Sequence, residues 1–171
     1  LTTAQRGSLD GTVIAAAASR HRLVNLARLN RRLEELDRVL AADKAGQDPG
    51  VIPAWMARYP ATRQRQRYRF HQAQRQLVKH HAQNARRPRP KRQDPAKIVI
   101  SLSEPEAALG RDKEKIFRPL YNLQVIQDLE SPLVLGFEVF AQATDAGTLM
   151  PMRHRVWELT RVWLQQLLAD A

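Results

Sequence analysis

There is no cysteine among the 171 residues. Disulfides, thiolate zinc sites and cysteine nucleophiles are thereby excluded, and any metal must be held by oxygen or imidazole. Long apolar runs are missing too. Nothing approaches the roughly 20 residues a bilayer-spanning helix needs, and residues 1–6 have no charged stretch leading into an apolar one, so a cytoplasmic protein with no membrane partner is expected. No glycine-rich phosphate loop and no Ser/His/Asp set is present. His21, His71, His80, His81 and His154 lack metal-ligand spacing, the adjacent His80 and His81 pointing to different helix faces. The most telling absence is local: residues 58–92 contain twelve Lys and Arg and no Asp or Glu.

What is present fits a globular chain, 43% hydrophobic and 26% charged. The formal charge of +11 is confined to that one segment, because outside it sixteen basic residues face seventeen acidic ones. Solvated faces mix signs; a single-sign run is the footprint of a polyanion-binding element. The expected partner is DNA. Arg63, Arg65, Arg67 and Arg69, with a flexible extended linker carrying Arg86, Arg87, Arg89, Lys91 and Arg92, are the candidate phosphate contacts, which would place the protein with the nucleoid.

Thr12 can cap a helix entered through Val13 and the alanines that follow, so the pattern predicts a helix starting near Thr12 or Ser19 and ending at Gly46, a natural C-cap. Leu26, Leu29, Leu33, Leu36 and Leu40 recur at spacings of three and four. Such a seam needs a helical partner. A second helix over 61–85, with Phe70, Ala73, Leu77, His81 and Ala85 on one face, would supply it as an antiparallel hairpin, with a homodimer seam as the other use. Pro88 and Pro90 stop that helix.

Residues 98–106 (IVISLSEPE) read as a buried strand delivering Glu104 and Glu106 to its end. A polar loop at 107–115 follows, then strands over 118–127 and 133–140, a helix over 152–164 with Val156, Leu159 and Trp163, and a last strand at 167–169. Three antiparallel strands, a helix and a parallel fourth strand are the opening of an RNase H-like sheet. In that arrangement Glu104 and Asp170 come out side by side at parallel strand ends. Two such carboxylates repel unless a divalent cation lies between them, and oxygen ligands suit Mg²⁺ or Mn²⁺. Glu106 reads as a surface residue and Asp145 as a turn residue. The fold class expected is α+β, a basic helical hairpin with its linker over 1–96 and a partial RNase H-like core over 97–171.

These residues resemble the DDE transposases of bacterial insertion sequences. The likeness lies in Asp10-Gly11-Thr12 with Ala16 to His21 beyond it, read as the segment before the core, in Ser103-Glu104-Pro105-Glu106-Ala107, and in Phe117-Arg118-Pro119-Leu120-Tyr121-Asn122-Leu123-Gln124. Ala143-Thr144-Asp145-Ala146-Gly147-Thr148-Leu149-Met150-Pro151-Met152, similar to the family's turn into the helix, and Leu168-Ala169-Asp170-Ala171 complete it. The resemblance implies two-metal Mg²⁺ chemistry at a DNA phosphodiester, cleavage and strand transfer, with Glu104 and Asp170 as catalytic, metal-holding acids. Glu104 stands where the family has Asp; its extra methylene moves the carboxylate by roughly 1 to 1.5 Å, a displacement worth on the order of 100-fold where geometry sets the rate. The family's third acid is not met before Ala171, so the expectation is an inactive fragment of a transposase. The alternative is a non-enzymatic nucleic-acid binder built on the hairpin.

Overall fold

Thr12, Val13 and Ile14 decide the first element. Three β-branched residues in succession favour a pleated backbone over a helical one, and the computed structural model, which describes residues 2–169, has β1 there (Arg6–Ala15). After β1 come β2 (Leu23–Asn25), α1 (Leu26–Ala45), α2 (Pro60–Arg86), β3 (Val99–Ser101), β4 (Ala108–Arg111), β5 (Phe117–Asp128), β6 (Val134–Phe140), α3 (Leu149–Thr160) and β7 (Gln166–Ala169). The class is α+β with a mixed sheet. No described helix is long and apolar enough to cross a membrane. The chain divides into two compact units, one of Leu1–Ala16 with Ala107–Ala171 and one of Ala17–Glu106, rather than at residue 96.

The first unit is built on β5. One of its edges pairs antiparallel with β1, from Gly7↔Asp128 to Ala15↔Leu120. Its other edge is shared by β4, against Phe117 to Leu120, and β6, against Asn122 to Gln127, with an irregularity between Ile126 and Gln127. The free edge of β1 takes β7 in parallel, from Arg6↔Gln166 to Leu9↔Ala169. One face of the sheet buries Ile126, Leu135, Met152, Val156 and Leu164, and Val156 of α3 comes within 3.3 Å of the position a Gly136 Cβ would take. On the opposite face Phe137, Val139 and Leu168 are exposed. The helix expected over 152–164 ends earlier, at Arg161 with φ +60. Leu159 and Trp163 are exposed, Trp163 stacking on Trp157 at 5.5 Å.

The second unit is the helix pair with a short ribbon. Asn25 caps α1 by accepting from the Arg28 N–H at 2.9 Å, and Gly46, left-handed at φ +67, closes it. Of the expected seam, Leu29, Leu33 and Leu36 are buried with Phe70, Ala73 and Leu77 of α2, Leu26 and Leu40 are only partly buried against that core, and Val39, outside the seam, is buried with it. Cross-links at Asn30–Gln74, Asp37–Arg67 and Asp43–Arg63 run in opposite senses along the two helices, so they are antiparallel.

Three expectations are corrected. The helix drawn back to Thr12 begins only at Leu26, since β1 and β2 precede it. The strand drawn over 98–106 shrinks to three residues and pairs with β2, not with the large sheet. Ile98 and Ile100 are buried in the helical core instead, which turns the short ribbon toward α1 and α2. The loop at 107–115 contains β4.

Candidate functional site

A strand shows alternate residues to opposite faces. At Gly11 an added Cβ would lie 2.1 Å from Gln124 Nε2 and 2.9 Å from Asp145 Oδ1, so Gly11 faces a polar cluster on the side of the sheet that carries Gln124. Asn122 Nδ2 and Gln124 Nε2 donate to Asp145 Oδ1 at 2.7 and 2.6 Å, and Gln124 Nε2 also donates to Asn122 Oδ1 at 2.9 Å. Both amides are buried, and the carboxylate satisfies donors that would otherwise be costly there. Asp145 pins a loop to the sheet, in keeping with a turn residue; its backbone oxygen also accepts from the Thr148 hydroxyl at 2.8 Å.

Asp10, one residue earlier, faces the other way. It lies mid-strand, in register with Val125, which is in turn opposite Phe137. Its side chain is exposed and makes no hydrogen bond or ion pair among the described residues. The β1–β7 pairing reaches Leu9↔Ala169, so Asp10 and Asp170 are the residues that follow this pair in sequence. Asp170 lies outside the described residues.

Glu104 is placed differently. It belongs to the unit Ala17–Glu106, in a turn after β3 where its N–H donates to Ser101 Oγ at 3.4 Å. The strand beside β7 is β1, so the parallel neighbour expected to carry Glu104 carries Asp10. Glu106 is exposed. Among the described residues no group of three or more His, Asp or Glu is gathered closely enough to hold a metal ion. Sequence reasoning passed over Asp10 as an acid because the alanines after Ile14 suggested a helix; the signal that could have found it was the β-branched run just beyond it.

The basic segment sorts its arginines. Arg63 is 3% exposed and pairs with Asp43, while its Nε and Nη2 donate to Ala57 O at 2.9 Å and Arg58 O at 2.8 Å. That guanidinium is a structural strut, not a phosphate contact. Arg67 is half-exposed and bonded to Asp37 at 2.5 Å. At 100° per residue, Arg65, Arg75, Lys79 and Arg86 fall on the side of α2 turned away from Phe70 and Leu77, with Arg69 on its flank, and all five are exposed. They form one stripe roughly 30 Å long. His80 adds no charge to it at neutral pH: burial, with Lys79 and His81 nearby, holds its imidazole below the usual range. The linker beyond is folded rather than extended. Asn84 Nδ2 donates to Gln93 O at 2.7 Å and Asn84 Oδ1 accepts from Gln93 N–H at 2.8 Å. Arg89–Lys91 forms a 3₁₀ turn and Arg92 Nε donates to Arg87 O at 2.8 Å. Arg86, Arg87, Arg89, Lys91 and Arg92 are exposed on this knot.

No family model, no curated protein and no solved structure matches the chain.

Proposed function

We propose that the chain acts on DNA as part of an RNase H-like phosphodiester-processing core of the DDE transposase type, with the helix pair of residues 17–106 as its DNA-holding insert. The observation that carries this reading is the parallel pairing of β7 with β1 beside antiparallel β5 and β6, the strands joined through α3, with an acid on the central strand. In this reading Asp10 takes the role expected of Glu104, and Asp10 with Asp170 holds a Mg²⁺ ion. The donor set fits: Asp10 offers exposed carboxylate oxygens with no cationic partner among the described residues to compete, and hard oxygen ligands suit that ion. When bound, such a cation polarises a phosphodiester and lowers the pKa of attacking water.

The stripe on α2 supports DNA as the partner. Its length is close to one turn of B-DNA, and its side chains carry no base-reading pattern, so the contacts are to phosphate. Duplex binding measured from about 50 to 200 mM salt tests this. Five contacts predict a slope of log K against log salt near −4 to −5, with little sequence preference. A slope near zero, or a slope unchanged after Arg65, Arg69 and Lys79 are replaced by Gln, would remove α2 from DNA binding. The non-enzymatic binder remains the second reading, favoured by that same stripe, and it differs in expecting DNA affinity to be indifferent to Asp10→Asn and Mg²⁺ alike.

A further inference from the structure

The second unit encloses a cleft of about 520 Å³ between the start of α1, the loop at 54–55 and α2. Arg22, Arg28, Arg32 and Arg69 line it, with no carboxylate among its lining residues. Arg28 and Arg32 are one helical turn apart on α1, a spacing at which like charges destabilise a helix. None of the four makes an ion pair among the described residues, although acids are available elsewhere on α1 to pair with Arg63 and Arg67. Arg32 is also held in place: its guanidinium lies 5.0 Å over the Trp55 ring, which itself stacks on buried Phe70 at 5.9 Å. Burial and then the charge of Arg28 push the Arg32 guanidinium below its ordinary value. A fixed, partly buried cation with a like neighbour and no counter-charge is a receptor for an anion.

We infer that this cleft is a phosphate site, receiving a tetrahedral oxyanion between Arg28 and Arg32 of α1 and Arg69 of α2. The planar guanidinium on Trp55 presents two parallel N–H donors to one phosphate, a geometry a lysine would not offer. Arg69 sits on the flank of the α2 stripe as well, so a phosphate of a bound nucleic-acid backbone and a free phosphate are the two sources of the same chemistry. The site is independent of the acid on β1 and does not require the enzymatic reading.

Titration calorimetry of the full chain with inorganic phosphate at constant ionic strength tests it. The expected result is saturable one-site binding, weakened about tenfold or more in Arg28→Gln, the worth of one charged hydrogen bond. Arg32→Gln should do the same; should it unfold the chain, Arg22→Gln and Arg28→Gln, both at exposed positions, decide the matter without it. Arg38→Gln, at an exposed position farther along α1 and outside the cleft lining, should leave phosphate affinity unchanged. A short duplex that displaces phosphate identifies the backbone as the source, and one that does not identifies a free phosphate. No binding up to about 10 mM, or equal weakening by Arg28→Gln and Arg38→Gln, would overturn the site.

Discussion

A methyl group at position 11 would stand 2.1 Å from Gln124 Nε2, far inside contact distance, with Asp145 Oδ1 at 2.9 Å behind it. Both neighbours are tied to each other and to Asn122, so neither can give way without breaking a buried bond. Gly11→Ala should cost about 1–3 kcal/mol, read as a lower denaturation midpoint, and a neutral result would mean the amide cluster is loose. Asp43 makes the complementary case. Removing it leaves Arg63 buried and unpaired, and breaking such a pair costs about 3–5 kcal/mol. Asp43→Ala is expected in that range by urea unfolding, while Asp37→Ala, whose partner Arg67 is half-exposed, should cost less than about 1 kcal/mol. Asp128 titrates: hydrogen bonds from Ser131 and Thr2 hold its carboxyl below the usual range. A lowered folded pKa gives stability that is present above the unfolded value and lost as pH falls through the folded one. The gap in Tm between the native chain and Asp128→Asn should therefore be full above about pH 5 and narrow as pH falls below about 4; a gap that does not narrow at all between about pH 5 and pH 2 would show that the carboxylate charge is not what those hydrogen bonds favour.

At the scale of elements, the helix pair was legible because its signals agree. Leu29, Leu33 and Leu36 repeat at helical spacing, Gly46 ends α1, and Pro88 follows α2. Strands β5 and β6 were legible for the same reason, as long β-rich runs separated by a polar turn. β1 was not, because Thr12, Val13 and Ile14 are followed at once by four alanines, and the alanines outweighed them in a purely local reading. Ile98 and Ile100 misled in the opposite direction: their run is a strand, but what buries it is the helical core, and sequence does not say which partner covers an apolar residue. That one exchange of strands is why Asp10, and not Glu104, lies on the strand beside β7. The charge of 58–92 was visible, yet which arginines are tied to α1 was not, since the carboxylates that bind Arg63 and Arg67 lie 20 and 30 residues away. The consequence for α2 can be measured. Arg65→Gln and Arg69→Gln should each lower the salt slope of DNA binding by about one. Arg63→Gln should instead destabilise the fold, and a loss of DNA affinity from Arg63→Gln at full stability would contradict its role as a strut.

At the scale of the whole molecule, the chain leaves its sheet after β1, builds a helical unit, and returns at β4 to complete the same sheet. The insertion puts two features in different units: Asp10 lies on an inner strand of the sheet, and the exposed basic residues of 58–92 lie on the inserted segment. Cleavage of duplex DNA by this chain with Mg²⁺ is expected to be negligible, since the described residues bring no group of three acids together and a second cation would be poorly held. Efficient nicking, stopped by a chelator, would show that a further acid completes the site. Everything proposed for the sheet turns on Asp10, not Glu104, being the acid that pairs with the end of β7. Mn²⁺ binding, followed by the paramagnetic signal of the free ion, should be compared in the native chain and in Asp10→Asn, Glu104→Gln and Asp170→Asn. Asp10→Asn and Asp170→Asn should each weaken binding about tenfold or more, the worth of one charged contact, and Glu104→Gln should leave it unchanged. Loss of Mn²⁺ binding in Glu104→Gln with Asp10→Asn unaffected would contradict the assignment.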